Sequence, residues 1–134
     1  MSEANVEVVR MAFEAVSVGG TEAGLPFCAD DVILYPVAEW AEDPAYYGHG
    51  GVRRMIAIWT HPFEGFAWDV HEIREVDERV LVRTEMTGRI KGSVAPIRER
   101  YSIVFSDFRN GTIGQVRFFQ TWQEALEAVG LDAR

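Results

Sequence analysis

The sequence predicts an α+β fold in which early helices pack on one face of an antiparallel sheet. The main observation is the stretch 79–120, which divides into three strand-like segments at 79–90, 95–105 and 112–120. Two short turns that combine glycine with polar residues separate these segments, as in β-hairpins. The second observation is the order of the elements before them, which reads helix, helix, strand, helix, strand. Helices that come early and strands that follow in a run are typical of α+β domains.

Length, composition and charge limit the classes of protein that this chain can represent. Its 134 residues suit one domain, which we expect to span residues 1–134. Hydrophobic residues make up 48% of the chain, which is more than a disordered protein contains. The net charge of −8 disfavours nucleic acid and anionic lipid as partners, because a negative surface repels phosphate groups.

The sequence carries no evident signal for a membrane, a secretory route or a metal. No apolar run approaches the roughly 20 residues of a membrane span, and the first residues do not resemble a secretory signal. The single cysteine, Cys28, cannot form an internal disulfide, so we expect a cytoplasmic location. The histidines His49, His61 and His71 are too scattered for a metal site. We therefore expect no metal, no cofactor and no membrane partner.

Two helices are predicted to cover the sheet. The first is predicted over 3–18, and the third begins in the glycine-rich segment 48–51 and stops at His61-Pro62. Each carries apolar side chains at steps of three and four, which form one stripe along the helix. The residues expected to be largely buried are Val6, Val9, Phe13, Val16, Met55, Ile56 and Trp59.

Shorter elements complete the predicted fold. A weak helical segment is predicted over 21–29, and two strands are predicted over 32–37 and 66–76. The chain closes with a short helix, because Thr121 and Glu124 have the spacing of a capping box.

Four local motifs occur in order along nearly the whole chain. They are VVRMAFEA at 8–15 followed by Gly19-Gly20, DDV at 30–32, YGHGGVRR at 47–54, and NGTI at 110–113 with EALEAVGL at 124–131. This arrangement resembles the nuclear transport factor 2-like superfamily, a cystatin-like fold, and within it the SnoaL-like branch. The resemblance implies a cone, in which a curved antiparallel sheet wraps around the N-terminal helices and leaves a pocket. It implies less about chemistry, since the superfamily includes isomerases, polyketide cyclases, epoxide hydrolases, dehydratases and proteins without catalysis.

The residues that ketosteroid isomerases of this superfamily use are not matched here. Those enzymes place a carboxylate base before a Pro-Val pair, a tyrosine on the first helix and a protonated aspartic acid after an Ala-Pro-Ile run. The corresponding residues of this chain are Tyr35, Ala12 and Arg98. Because all three residue types differ, the resemblance does not extend to steroid isomerisation.

The best catalytic candidates are nevertheless Tyr35 and Arg98, at two of the positions that the superfamily uses. Tyr35 either hydrogen-bonds a substrate oxygen or packs under the third helix. Trp40 belongs either to a lid or to a loop that aromatic side chains anchor, while Trp59 and Trp68 are either core or ligand platform. The residues expected to contact a ligand are Tyr35, Trp40, Trp59, Trp68, Arg98, Arg100, Ser102, Val116 and Phe118.

The strand at 95–105 can present either of its faces to the pocket. Simple burial would turn its apolar residues inward, whereas the register of the superfamily turns Arg98, Arg100 and Ser102 inward. We follow the register. It leaves an apolar patch on the outer face of the sheet, and that patch predicts a homodimer through this face. Its members are Ile97, Tyr101, Ile103 and Phe105.

Two functions remain open from the sequence. One is a small-molecule pocket that catalyses acid–base isomerisation, cyclisation or dehydration of a carbonyl or hydroxyl compound, with an arginine stabilising an oxyanion. The other is a non-catalytic ligand-binding or dimerisation module. No carboxylate or histidine is securely placed in the pocket as a base, which favours the second function.

Overall fold

In the residues that the structure describes, four helices and five strands occur in the order that the sequence predicts, and the two-residue strand Tyr46–Tyr47 is an addition to it. The computed structural model describes residues 2–37, 39 and 42–131. Within them, the helices are α1 (Ser2–Gly19), α2 (Thr21–Gly24), α3 (Gly48–Thr60) and α4 (Trp122–Ala128), with a 3₁₀ turn at Leu25–Phe27. The strands are β1 (Cys28–Tyr35), β2 (Tyr46–Tyr47), β3 (Phe63–Val76), β4 (Arg79–Ile90), β5 (Pro96–Ser106) and β6 (Ile113–Phe119). None of the helices within these residues is both long and apolar enough to cross a bilayer.

The strands form one curved, open sheet in the order β2-β1-β6-β5-β4-β3. Neighbouring strands run antiparallel except β1 and β6, which pair in parallel. The α+β prediction, with N-terminal helices inside a curved sheet, is therefore confirmed. That the whole of residues 1–134 forms a single domain stays a prediction.

The connection between α1 and the sheet differs from the predicted helix over 21–29. Helix α2 ends at Gly24, and the chain is already extended at Cys28, where φ is −107° and ψ is 139°. Two causes combine here. Pro26 lacks the N–H that a longer helix would need, and Cys28 pairs with Ile113 of β6.

The core lies between the concave face of the sheet and the helices α1 and α3. Val9 of α1 and Met55 of α3 are buried, with 0% and 1% of their surfaces exposed, and they share one cluster with Val80 and Ile103 of the sheet. The other residues predicted for the helical stripes are half-buried: Val6, Phe13, Val16, Ile56 and Trp59. The prediction that both helices pack on one sheet face is confirmed.

The orientation predicted for β5 is wrong. Tyr101, Ile103 and Phe105 lie in the core cluster on the concave face, whereas Arg98 and Arg100 are exposed on the opposite face. Side chains alternate along a strand, so a register that differs by one residue reverses every one of them. The reverse orientation would leave three large apolar side chains in water. That loss of burial decides the orientation against the register inferred from the superfamily.

The outer face of the sheet is covered by α4 at one end. Leu81 of β4 and Val104 of β5 pack there against Leu126 and other apolar residues of the C-terminal segment. The capping box of α4 forms as predicted, because the Thr121 hydroxyl accepts from the N–H of Glu124. The apolar patch that motivated a homodimer does not lie on this face, and the dimer stays a prediction without that support.

Candidate functional site

An apolar cavity, here called the inner chamber, lies between the two core helices and the concave face of the sheet. Its volume is about 120 Å³. Helix α1 contributes Phe13, whose ring meets Phe105 edge to face with 5.9 Å between ring centres, and α3 contributes Met55. The strands contribute Ile103 of β5 and Val116 of β6. The chamber is thus built from the inward side chains of the same elements that form the core.

Three aromatic rings form one wall of the inner chamber. Trp59 meets Phe118 edge to face with 4.9 Å between ring centres, and it meets Tyr101 in the same way at 6.1 Å. Edge-to-face contacts of this kind fix the rings relative to one another. They give the chamber a rigid aromatic wall on the side of β5 and β6.

Tyr101 places a hydroxyl group at this wall. The indole Nε1 of Trp68 donates a hydrogen bond to the Tyr101 hydroxyl oxygen. Phe66 supports the Trp68 indole from the side, with 4.5 Å between ring centres. Burial raises the pKa of Tyr101 and the hydrogen bond from Trp68 lowers it, with a net rise. The phenol therefore stays neutral at physiological pH and acts as a hydrogen-bonding group rather than as a base.

A second cavity, here called the vestibule, shares the walls Trp59 and Tyr101 with the inner chamber. Its volume is about 260 Å³, and Pro62, Phe63 and Glu99 line the side that faces solvent. Glu99 lies two residues before Tyr101 on β5, so both side chains point to the concave face. Glu99 was missed from the sequence because the register inferred there turned it outward.

A further cleft of about 250 Å³ opens between α1, α3 and β3, and Phe13 and Trp68 line it. The cleft and the vestibule therefore each share wall residues with the inner chamber. Among the described residues that line these three cavities, Glu99 alone carries a carboxylate.

Cys28 borders the inner chamber at the start of β1. Burial raises the pKa of its thiol to about 11, so the thiol is protonated at neutral pH. Its carbonyl oxygen lies 3.0 Å from Nε2 of His49, which ties the first turn of α3 to β1. His49 has a structural contact, as expected for a residue of the motif that opens the helix.

Four of the residues expected to contact a ligand lie at the inner chamber, and their contact with a ligand stays a prediction. Trp59, Trp68, Val116 and Phe118 all line the inner chamber. Trp40 falls outside the described residues. These placements follow from apolar periodicity, which the sequence displays directly.

The other four predicted contacts lie on the outer face of the sheet. Tyr35 pairs in register with Arg117, whose guanidinium lies 4.7 Å from the centre of its ring. The neighbouring Leu34, not Tyr35, lines the chamber. Arg98, Arg100 and Ser102 lie on the outer face because β5 presents Tyr101 inward. Of the three positions compared with ketosteroid isomerases, only Ala12 borders the chamber, so the positions assigned to Tyr35 and Arg98 by that comparison are wrong.

A buried carboxylate with three basic neighbours occupies the outer face. Glu85 is 5% exposed, and its carboxylate lies 3.2 Å from Nε of Arg100, 3.4 Å from Nε2 of His71 and 3.6 Å from Nε of Arg98. Burial raises the pKa of Glu85, but the hydrogen bond from Arg100 and the charge of Arg98 outweigh burial and hold it below the ordinary value. Glu85 thus pairs across the strands with arginines of β5, while Arg83 lies 4.0 Å from Glu72 of β3.

No three histidine, cysteine, aspartate or glutamate side chains come together as possible metal ligands in the described part of the chain. The polar group at the wall of the inner chamber is the Tyr101 hydroxyl, which forms hydrogen bonds. The chamber can therefore hold an apolar ring, and the hydroxyl can contact a polar substituent of that ring.

The sequence model of the SnoaL-like domain matches residues 9–116. This match covers most of the chain. The chain belongs to the SnoaL-like domain family. Its fold agrees with that assignment, because the curved sheet and N-terminal helices are those of the nuclear transport factor 2-like superfamily.

Solved structures with the same fold match this SnoaL-like protein over most of its length. A SnoaL-like polyketide cyclase homologue from Jannaschia sp. CCS1 is 16% identical, with a TM-score of 0.73 over 96% of this chain and 92% of that one. Rv0760c from Mycobacterium tuberculosis, in complex with estradiol-17beta-hemisuccinate, is 13% identical, with a TM-score of 0.73 over 89% and 95%. TerC, co-crystallised with polyporic acid, is 15% identical, with a TM-score of 0.73 over 94% and 97%.

At these identities the structural matches establish the fold of the SnoaL-like protein and not its activity. No relative was found among proteins with curated functions. The function is therefore argued from the geometry of the site.

Proposed function

We propose that this SnoaL-like protein binds a small, mainly apolar ring compound in the inner chamber, with one polar atom of the ligand directed at Tyr101. The observation that carries the proposal is the aromatic wall in which the Trp68 indole holds the Tyr101 hydroxyl in place. Pockets for small molecules commonly combine an apolar lining with a few fixed polar groups.

The volume of the chamber limits the size of the buried part of the ligand. At about 120 Å³ the inner chamber is somewhat smaller than the engineered apolar cavity of about 150 Å³ that binds benzene. One ring fits with small adjustments of the wall. A longer ligand extends past Trp59 and Tyr101 into the vestibule, where it reaches water.

The chemistry of the wall selects the polar atom of the ligand. Tyr101 is neutral, so it suits a carbonyl or hydroxyl group better than a charged one. The Tyr101 hydroxyl can donate a hydrogen bond to a ligand oxygen while its own oxygen accepts from Trp68. Two proteins of the same fold were crystallised with small organic molecules, which supports a ligand of this general class.

A second candidate function is acid–base catalysis on the same kind of compound. It rests on Glu99, whose carboxylate lines the vestibule beside Tyr101. A carboxylate can remove a proton next to a carbonyl while a phenol hydrogen-bonds the developing oxyanion. Turnover that Glu99→Gln abolishes without loss of binding would support this function, and binding without turnover supports a binding protein.

Binding is tested with two compounds of one shape, acetophenone and α-methylstyrene, in which a C=CH₂ group replaces C=O. Calorimetric titration of the wild type should give saturable binding of both compounds. Tyr101→Phe should weaken acetophenone about 3- to 10-fold, as expected for one hydrogen bond, and change α-methylstyrene less than about twofold. Tyr35→Phe on the outer face is the matched control and should change neither.

Two results would contradict the proposal. One is that neither compound binds in a saturable manner. The other is that Tyr101→Phe weakens both compounds equally, since the hydroxyl would then have no selective contact with the carbonyl.

Assembly and location are proposals as well. We propose a homodimer through the outer face, at the end of the sheet away from α4, and a cytoplasmic location. Glu64 and Arg89 are exposed at this end, so opposite charges of two copies can pair across a twofold axis. Sedimentation at micromolar concentration should give twice the chain mass, and a single-chain mass at high concentration would exclude the dimer.

A further inference from the structure

We propose that the outer face of the sheet carries a second ligand site, which binds a small oxyanion such as a carboxylate or phosphoryl group. A groove of about 550 Å³ lies there between β3, β4, β5 and the segment that enters α4. It is named the outer groove, and its main lining residues are His71, Arg83, Arg100, Ser102, Gln120 and Trp122. This composition contrasts with that of the inner chamber, whose lining is apolar.

The arginine side chains at the outer groove have N–H donors that are available to a ligand. Arg100, which lines the groove, contacts Glu85 through Nε, and Arg98, which lies beside the groove on the same strand, does so as well. A guanidinium has five N–H donors, and only the Nε–H of each arginine points at Glu85. The Nη groups of both arginines have no hydrogen-bond partner in the part of the chain that the structure describes. The two Nη groups of one arginine can bind two oxygens of a carboxylate or phosphate at once.

Arg83 is held at the opposite side of the groove by an aromatic ring. Its guanidinium lies 4.7 Å from the centre of the Trp122 indole. The nearest carboxylate oxygen, from Glu72, is 4.0 Å away and beyond hydrogen-bonding distance. Stacking on an indole orients a guanidinium without using its N–H donors. Arg83 and Arg100 therefore flank the groove with donors available for an anion.

Ser102 supplies an independent indication of a ligand. The residue is 1% exposed, and its hydroxyl oxygen is buried without a hydrogen-bond partner among the described residues. Buried hydroxyl groups are normally satisfied, so a lone one beneath a polar groove indicates a missing partner. Ser102 pairs across the strands with Arg83, which lines the same groove.

The charges of this face favour an anion over a cation. In the segments 69–74, 83–85 and 98–100 of this face, four guanidinium groups, those of Arg74, Arg83, Arg98 and Arg100, accompany three carboxylates, those of Asp69, Glu72 and Glu85. Glu85 is already paired with Arg98, Arg100 and His71, and Glu72 is paired with Arg74 at 2.9 Å. The paired carboxylates leave a local positive excess on a chain whose net charge is −8. The face thus offers a place where an anion avoids the general repulsion of the surface.

The outer groove is tested by titrating the whole protein with inorganic phosphate and, separately, with acetate, at constant ionic strength set by chloride. Proton–nitrogen correlation spectra follow the indole N–H of Trp122 and report whether binding saturates. Saturation by phosphate alone indicates a phosphoryl ligand, and saturation by acetate alone or by both indicates a carboxylate site. We expect at least one anion to saturate.

Variants then locate the anion. Arg100→Gln and Arg83→Lys should weaken binding at least tenfold and threefold, respectively, and Ser102→Ala should weaken it at least threefold. Arg89→Gln, on the same strand as Arg83 but outside the groove, removes an equal charge and should change binding less than twofold. The proposal is overturned if neither anion saturates, or if Arg89→Gln weakens binding as much as Arg100→Gln does, because the attraction would then be non-specific.

This test is separate from that of the inner chamber. Tyr101 and Ser102 are consecutive residues of β5, so their side chains point to opposite faces of the sheet, and that of Tyr101 lies in the core on the concave face. Ser102→Ala should leave acetophenone binding unchanged, so each site can fail without the other.

Discussion

The indole of Trp68 donates a hydrogen bond to the hydroxyl of Tyr101 across the intervening strand β4. The two residues belong to β3 and β5, so the bond spans the concave face of the sheet. It joins the aromatic wall of the inner chamber to the cleft beside α1. The position of the one phenol that we propose as a ligand contact thus depends on an aromatic residue two strands away.

The Trp68–Tyr101 bond should be measurable as a contribution to stability. Tyr101→Phe removes the acceptor and leaves the indole N–H of Trp68 in a partly buried setting, so we expect a loss of about 1–2 kcal/mol in the free energy of unfolding. A double-mutant cycle with Trp68→Phe should show a coupling of about 1 kcal/mol. Urea unfolding measures both quantities. Additivity of the two substitutions would mean that the bond contributes nothing.

The cover of the concave face by the helices predicts a contrast between two isoleucines on that face of β5. Ile103→Ala empties space in the core, where Ile103 is 3% exposed, and should cost about 2–4 kcal/mol. Ile97 lies near the start of β5 and is only half-buried, so Ile97→Ala should lower the free energy of unfolding by less than about 1 kcal/mol. Thermal and urea unfolding of the two variants checks the contrast. Equal costs would contradict the difference in burial between these two residues of one strand face.

The free energy of unfolding should depend on the ionisation of Glu85 at acidic pH, which is the acid limb of the pH–stability curve. Its pKa is lower in the folded state than the ordinary value of 4.5, because the gain from Arg100 and Arg98 exceeds the cost of burial. The stability that this group contributes is present above the unfolded pKa and is lost as the pH falls through the folded pKa. Glu85→Gln should therefore be less stable at pH 7 and lose less stability than the wild type between about pH 5 and pH 3.

The control for Glu85→Gln is Glu64→Gln, since Glu64 is an exposed carboxylate of β3. This substitution should change neither the stability at pH 7 nor the acid limb. An acid limb that is the same for wild type and Glu85→Gln would show that the arginine cluster does not lower the pKa of Glu85.

The thiol of Cys28 should react slowly at neutral pH. Burial raises its pKa to about 11, so only a small fraction is thiolate at pH 8, and the rate of alkylation by iodoacetamide should rise about tenfold per pH unit up to pH 10. In the protein unfolded by urea, the thiol ionises at its ordinary pKa, so the alkylation rate should level off near pH 9. Because the unfolded thiol ionises first, stability should also fall as the pH rises from about 9 toward 11. Mass spectrometry follows the alkylation, and a plateau near pH 8.5 in the folded protein would contradict the burial.

The elements of this fold could be predicted because their signals are local. The apolar stripe of α1, the capping box of α4 and the hairpins of the last three strands each depend on residues that are close in sequence. Strand β4 even has the predicted bounds, Arg79–Ile90. The fold class followed from the order of these elements.

The facing of the strands could not be predicted in the same way. For β5 the sequence offered two alternating sets, and the choice depended on whether Tyr101 or Arg100 meets α1 and α3. Burial settles that choice, but only the packed structure shows which side the helices cover. The same limit applies to Tyr35, where pairing with Arg117 of the distant β6 directs the ring outward.

The location of a bound ring inside the chamber is the most direct test of this account. Acetophenone is mixed with isotope-labelled protein, and intermolecular nuclear Overhauser effects are recorded to the methyl groups of Met55, Ile103 and Val116. These three side chains line the inner chamber, so the ring protons should give contacts to all of them. Contacts confined to the vestibule or to the outer face, with none to these methyl groups, would contradict the proposed site.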